Sequence, residues 1–577
     1  MKRFFSYLKP YWLPLSVSAF LIILVSLLVG IAPYIEGLII TSISNSLDTA
    51  LPIEYRYIII IILVLASIYI IVAASRFVFN WLLTRVIQKA VRNLRADIQT
   101  KIHKLPVSYF DNTLVGDTMG RMTTYVEAVS NGVQQSFATI ISSVSLVIFI
   151  VIMMYWMNIT LALIASVVIP LSFIITLIIL KKSQPIFTKR YEEYGKITGY
   201  IQEKYTGYKE VILYNQQENL KKEFAKKNDS LAELVFRSTF LSGLLMPLLY
   251  VVTYFIIVVV VLVGSKLTIE NVITLGVFQS FVRYVWRIAN PISNLTQMSS
   301  IIQSSSAAAK RIFTFLDETE EIADEKSPLS LSHVVGEVKF DHVSFGYRPN
   351  KLILKDISFT AKPGQMVAIV GPTGSGKTTL INLLMRFYDV NQGTISIDQV
   401  PINRMKKDEL REIFGMVLQD TWLFKGTIHE NIKYSNENTL DSDVELAAQE
   451  ANVDYFIKTQ PQGYQTLINE ESDNISQGEK QLLTIARAIL ANPNILILDE
   501  ATSTVDTRIE FMLQEAMKRL LHNRTSFVIA HRLSTIINAD VILVLKDGEI
   551  IEQGTHQELL ALNGFYYKLF MSQFEGM

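Results

Sequence analysis

Residues Gly371-Pro-Thr-Gly-Ser-Gly-Lys377-Thr378 stand between the apolar run Met366-Val-Ala-Ile-Val370 and a second run of helical character, Leu380-Ile-Asn-Leu-Leu384. The pattern is G-x-x-x-x-G-K-[ST] set between a strand and a helix, which is how a phosphate-binding loop is built. Its glycines let the backbone wrap a phosphate with N–H groups turned inward. Lys377 supplies a positive charge for the β- and γ-oxygens, and the Thr378 hydroxyl can ligate Mg²⁺. Gly371, Thr373, Gly374, Ser375, Gly376, Lys377, Thr378 and Thr379 are therefore the expected nucleotide-binding residues, with ATP or GTP and Mg²⁺ as cofactors. A second run, Asn494-Ile-Leu-Ile-Leu-Asp499-Glu500, is apolar and ends in two acids. A buried parallel strand would present these at its C-terminal edge, Asp499 toward Mg²⁺ and Glu500 toward the attacking water. Alone, such a run reads more readily as a surface helix cap. Beside a phosphate loop it becomes the acidic half of a hydrolytic site.

Holding these groups takes an α/β domain, and short apolar runs supply its strands: Glu337–Phe345, Gln365–Val370, Ile495–Leu498, Ser526–Ile529 and Val541–Leu545, with helical stretches between several of them. The expectation is an α/β P-loop NTPase domain over 336–577 with a largely parallel core. Ahead of it, Asp317-Glu-Thr-Glu-Glu-Ile-Ala-Asp-Glu-Lys-Ser-Pro is acidic without apolar periodicity, so 317–335 reads as a linker.

Residues 1–316 read as an all-α polytopic membrane domain. Half of the 577 residues are apolar and 18% are charged, against about 25% charged in an ordinary soluble domain. Mean hydropathy is +0.31. A disordered or fibrous chain is thereby excluded. Lys+Arg and Asp+Glu balance at 53 each, so no global field draws nucleic acid, and Lys221-Lys222 and Lys226-Lys227 read as a solvated helix face. The absence of Cys removes disulfides, thiolate metal sites and Cys nucleophiles. Charge-poor runs of the ~20 residues that cross a hydrocarbon core give spans at about 13–33, 57–77, 136–157, 159–180 and 240–264, and a weaker one at 271–294. Trp156-Met157-Asn158 is the break between the third and fourth. The first run is too long for the ~7–15 apolar residues of a cleaved signal peptide.

Arg76, Arg85, Lys89, Arg92 and further Lys and Arg residues gather between spans two and three, and a dozen more between spans four and five, while the other loops hold almost none. The positive-inside bias places the N-terminus and both long loops in the cytosol of a multi-pass cell-membrane protein. Nucleotide motifs in the C-terminal half need cytosolic ATP, so the crossings are even in number, and six is the consistent count. Both basic loops read as continued helix reaching roughly 40 Å past the bilayer at 1.5 Å per residue.

With these parts in place the chain resembles an ATP-binding cassette exporter, as a half-transporter with six spans fused to one nucleotide-binding domain. Further segments carry the resemblance. Asn474-Ile-Ser476-Gln477-Gly478-Glu479 stands where the family's signature motif, usually Leu-Ser-Gly-Gly-Gln, opens a helix. Gln419 is similar to the family's loop glutamine that joins Mg²⁺ to the membrane domain, and His531 to its switch histidine on the γ-phosphate. Ser503 and Asp506 resemble the loop that contacts the opposite site, and Tyr347 the aromatic that stacks on adenine. The resemblance implies catalytic roles for Glu500, His531 and Gln419, and Mg²⁺ ligation by Thr378, Gln419 and Asp499. A lone Tyr, Gln or His also has an ordinary packing or solvated reading. Phe110-Asp111, Gly116-Asp117, Arg121 and Gly207-Tyr-Lys-Glu-Val211 resemble the family's intracellular loops.

The resemblance implies a dimer, because each ATP is closed against the signature helix of a second domain, whose N-terminus favours the γ-phosphate. Gln477 stands where the family has Gly, and Glu479 where it has Gln, so Ser476, Gln477, Gly478 and Glu479 would lend a partner a weaker signature while this chain's own half-site is complete. The expected partner is a different half-transporter, as in heterodimeric bacterial multidrug exporters; a homodimer remains open because backbone N–H groups tolerate Gln477. The implied function is efflux of amphipathic compounds, drug-like or lipid, with a homodimeric lipid flippase or an ATP-gated channel as alternatives.

Arg283 and Arg287 share one helix face, and Arg283 lies about 20 Å from Glu270 along the helix. A charge at that depth faces a cavity or a partner, which makes Arg283 a candidate for the translocation path. Snorkelling to the cytosolic surface is the alternative, the simpler one for Arg287. Tyr250, Tyr254, Phe255, Phe278, Phe281 and Trp286 nearby would suit amphipathic ligands or ordinary packing.

Overall fold

The computed structural model describes residues 3–48, 52–113, 115–325, 327–331, 333–348, 351–418, 421–436, 438–468, 475–499, 507–529 and 537–574. They form two units, residues 1–104 with 113–319, and 105–112 with 320–577.

The first unit is helical throughout. Its long elements are α2 (Trp12–Asp48), α3 (Tyr55–Lys104), α6 (Thr124–Met157), α8 (Val168–Thr206), α10 (Gln217–Gly243), α11 (Leu245–Ile269) and α12 (Leu275–Leu316), with short α1 (Phe4–Leu8), α5 (Val115–Met122), α7 (Ile159–Ser166) and α9 (Tyr208–Leu213) between them. Among the described residues, five helical stretches are long and apolar enough to cross a membrane: Phe4–Leu47, Tyr55–Lys104, Gly116–Met157, Ile159–Thr206 and Gln217–Ile269. The weak sixth span falls in α12, which has the length but is not among those five. The break after Met157 has a local cause. Asn158 is extended at φ −161°, and its side chain accepts the Leu161 N–H at 3.0 Å, closing α6 and opening α7 in one residue.

Two features join α2 to α12. A Cβ on Gly276 would lie 1.8 Å from the Gly37 carbonyl oxygen, so only glycine permits this crossing. One turn further, Pro33 interrupts the hydrogen-bond ladder of α2. Proline has no N–H, so the carbonyl four residues earlier, that of Val29, loses its helical donor. Arg287 Nη1 donates to that carbonyl at 2.8 Å, and the Ser280 hydroxyl donates to the Pro33 carbonyl, also at 2.8 Å. Arg287 thus completes a broken helix instead of snorkelling to a surface.

The second unit is α/β. Its main sheet has the order β12-β11-β3-β10-β9-β6, drawn from Glu549–Gly554, Val541–Lys546, Met366–Val370, Thr525–Ile529, Ile495–Asp499 and Phe414–Val417. All pairings are parallel except β11 with β12. Residues alternate between two packed faces. Ile495 and Ile497 join a core with Val367, Ile369, Phe527 and Leu543, while Leu496 and Leu498 join one with Val417, Leu482, Ile485 and Leu513. Each fully buried Leu or Ile contributes roughly 1.5–3 kcal/mol. The expected strand at 337–345 does not enter this sheet. As β1 (Val338–Phe345) it pairs antiparallel with β2 (Leu354–Ala361) and β4 (Gln392–Ile397), and the short β5 (Val400–Pro401) extends that second sheet. Solvated positions such as Lys339 and Asp341 suit β1 to an outer antiparallel sheet, not to a strand covered on both faces.

The described residues of the acidic stretch after residue 319 are held at several points. Arg411 Nη2 meets Glu321 at 2.8 Å, Lys407 Nζ donates to the Ile322 carbonyl, and Asp324 faces Lys407 at 3.8 Å and Arg386 at 4.0 Å. Leu329 N donates to the Arg404 carbonyl at 2.9 Å. The Asp398 carboxylate accepts the N–H groups of Val335, Gly336 and Glu337.

Candidate functional site

The phosphate loop lies between β3 and α13 (Lys377–Leu384), crossing from the sheet's carboxyl edge to a helix N-terminus, a favourable place for an anion. Gly374 and Gly376 have φ of 83° and 105°, and a Cβ on Gly376 would lie 2.5 Å from Leu354 Cδ2. Lys377 Nζ folds back on its own loop, donating to the carbonyls of Gly371 at 2.8 Å and Pro372 at 3.1 Å. Burial holds its ammonium below the usual lysine range, while the Asp499 carboxylate pulls the other way. That influence places Asp499, the last residue of β9, at the same site as Lys377. Ser375 Oγ is buried and has no hydrogen-bond partner among the described residues. A polar atom left so in a loop of inward N–H groups fits an anionic ligand. Thr378 is exposed and Thr379 buried in the first turn of α13.

Tyr347 follows β1. Its hydroxyl meets Thr379 Oγ1 at 3.3 Å and accepts from Asn382 Nδ2 at 3.3 Å, tying the ring to α13. One edge packs on Phe345 and Tyr388, with centroids 5.1 Å and 4.9 Å away. The residue is 48% exposed, which leaves a ring face open for a planar base. Tyr388 is a residue that motif reading passed over. Its hydroxyl donates to Asp111 of α4 (Val107–Asp111), a segment that groups with this unit. Burial, then that hydrogen bond, holds its phenol above the ordinary range.

The signature residues open α18 (Gln477–Ala491) with Ser476 as N-cap. The Glu479 carboxylate turns back over the helix start and accepts the Ser476 N–H at 2.8 Å and its hydroxyl at 2.7 Å. Such a capping box satisfies the helix from within. Gln477 is exposed beside it and Gly478 buried. Among the remaining expected site residues, Gln419, Glu500, Ser503, Asp506 and His531 lie outside the described residues, as does Asn474.

In the other unit Arg283 Nε is 3.8 Å from Glu36 Oε2, and the Tyr69 hydroxyl donates to Glu36 at 3.2 Å. Hydropathy gave no sign of this pairing, because Glu36 lies past the expected end of the first span.

Comparison with known proteins agrees with this architecture. The ABC transporter transmembrane region family matches residues 15–287, and the ABC transporter family matches residues 354–503. A fatty acid ABC transporter ATP-binding/permease protein of Mycobacterium bovis is 43% identical over 85% of this chain and 77% of its own. An ATP-dependent lipid A-core flippase of Desulfotalea psychrophila is 33% identical over 99% of both. The solved structure of a bacterial Atm1-family ABC exporter with ATP bound superposes with a TM-score of 0.76 at 27% identity, over 97% of this chain and 98% of that one. A multi-pass helical domain fused to an ATP-binding α/β domain defines an ATPase coupled to transport across a membrane. The chain belongs to the ATP-binding cassette transporter family, as an exporter-type half-transporter, and ABC exporters act as dimers.

Proposed function

We propose that the chain is one subunit of a dimeric pump in the cell membrane that exports amphipathic compounds, drug-like or lipid, with its nucleotide domain in the cytosol and two unequal ATP sites. The observation that carries the inequality is the Glu479 carboxylate on Ser476. In the family a partner's γ-phosphate meets this helix start. Here a carboxylate already occupies its donors and adds a like charge. A partner site closed by this signature would hold ATP and hydrolyse it slowly, whereas the site built on this chain's own loop would turn over. In that site Tyr347 stacks the base, Lys377 and the loop N–H groups hold the phosphates, and Thr378, Gln419 and Asp499 hold Mg²⁺. Glu500 takes the proton of the attacking water, His531 steadies the γ-phosphate, and Ser503 with Asp506 reaches the opposite site. The favoured partner is a different half-transporter. The names of the relatives, a fatty acid transporter and lipid A-core flippases, favour a lipid-like cargo. Arg283 then stands on the cargo's path.

The test is ATP hydrolysis and particle mass for the chain purified alone in nanodiscs, with Glu500→Gln as control. Negligible hydrolysis without a stable two-copy particle is the expected result. A two-copy particle whose hydrolysis disappears in Glu500→Gln would refute the unequal-site reading.

A further inference from the structure

Glu36, Tyr69 and Arg283 come together from α2, α3 and α12, Glu36 and Tyr69 within two of the five long apolar helical stretches and Arg283 within the expected sixth span. Arg283 is the unusual member. Its side chain is 58% exposed, and its only ion pair among the described residues is the contact from Nε to Glu36, at 3.8 Å. That separation is beyond hydrogen-bond reach, so all five guanidinium N–H donors are unspent on described protein groups. Glu36 is the opposite case, 24% exposed and held by Tyr69. The carboxylate thus steadies the arginine's charge without using its fork. A cation with idle donors at membrane depth is costly unless something completes it. Its neighbour Arg287 has a completed bond to Val29, which leaves Arg283 as the open one of the two.

What lies one turn along α12 indicates the rest of the ligand. Trp286 stacks on Tyr250 with centroids 5.5 Å apart and planes 7° apart, and leans on Tyr254 at 5.3 Å. Trp286 and Tyr254 are 39% and 54% exposed. Residues three apart on a helix are neighbours, so this aromatic step stands one turn from Arg283 on the same side of α12. We propose that Arg283 and this step form a binding site for an amphiphile with an anionic head, a carboxylate or a phosphate. The head lies bidentate on the Nη fork and the apolar part on Tyr250, Tyr254 and Trp286. The proposal rests on the export reading and narrows its cargo to anions. Glu36 opposes the arriving head by like charge. The two partners of one ion pair should therefore act with opposite sign on ligand affinity.

The experiment measures equilibrium binding of oleate, oleyl alcohol, 1-oleoyl-lysophosphatidate and inorganic phosphate to the full transporter in nanodiscs without ATP. Oleate and the lysophosphatidate are expected to bind well, oleyl alcohol and phosphate poorly. Arg283→Gln should weaken both anionic amphiphiles by about tenfold or more, the scale of one lost charge-assisted hydrogen bond, with Arg283→Lys in between. Glu36→Gln should tighten them. Equal affinity for oleate and oleyl alcohol, or shifts of the same sign from Arg283→Gln and Glu36→Gln, overturns the proposal; phosphate binding as tightly as the lysophosphatidate replaces it with a free-anion site. ATP-driven flux is measured separately. Flux indifferent to head charge removes the proposal and leaves export standing, and head-selective binding without flux does the reverse.

Discussion

The contact between Arg287 and the Val29 carbonyl can be isolated because its cause lies in a third residue. Pro33 deprives Val29 of its helical donor, and Arg287 Nη1 replaces it at 2.8 Å. A hydrogen bond to a charged group contributes about 1.5–3 kcal/mol, and a backbone group left unsatisfied in hydrocarbon costs several. Arg287→Ala should therefore destabilise the chain by about 2–3 kcal/mol. In Pro33→Ala the new N–H can reach Val29 by itself, so the same arginine substitution should then cost about 1 kcal/mol or less. The difference is a coupling energy of ~1–2 kcal/mol, within the range for residues sharing a partner. Reversible SDS unfolding of the four variants in mixed micelles, followed by tryptophan fluorescence, measures it. The cycle subtracts any general effect of removing the proline. If the two substitutions add to within about 0.5 kcal/mol, Arg287 does not complete the helix, and the reasoning fails.

Three other outcomes are expected. Lys377→Ala should weaken fluorescent ATP-analogue binding by at least about tenfold, because it removes a charged donor from the phosphates; unchanged binding would count against the loop. Glu479→Gln should tighten nucleotide at the partner's site by removing a carboxylate from the closing helix, read as retained nucleotide after rapid dilution of the dimer; no gain contradicts the role given to Glu479. His342 lies 2.6 Å from Asp356, and that hydrogen bond raises its pKa above the ordinary 6.5. Its stabilising share is complete below pH 6.5 and is lost as pH rises through the raised value, so the Tm advantage over His342→Gln should be larger near pH 5.5 than near pH 8.5, and an equal advantage at both refutes it.

Local signals in the sequence were the legible ones. The strand and helix flanking Gly371–Thr378, the strand before Asp499-Glu500 and the turn at Asn158 each depend on a few consecutive residues, and these elements stand where the pattern placed them. The sixth span was faint because Arg283, Arg287 and Pro291 dilute its hydropathy, and the two arginines are what its contacts to Glu36 and Val29 use. The role of Arg287 could not be read, since it depends on a proline some 250 positions away that no periodicity connects to it. Tyr388 with Asp111, 277 residues apart, was hidden for the same reason. Glu479 is an intermediate case. Ser476-Gln-Gly-Glu479 fits the capping-box spacing, but attention to the motif's departures gave the charge and missed the bond. The separate antiparallel sheet was missed because short strands with one solvated face give little apolar signal.

The fastening of residues 320–337 also bears on how this chain can be cut and rebuilt. Lys407 is only 7% exposed and takes its ion pairs from Glu321 and Asp324, so peeling the acidic segment away would strand a buried cation, at a cost of about 3–5 kcal/mol for a broken buried pair, while Arg386 would keep Asp389. A cut engineered after Glu325 would therefore yield a nicked chain whose segment through Asp324 stays seated on the ATP-binding fold, and inserted tags or spacers belong at 318–319, between the Arg3–Asp317 pair and Glu321.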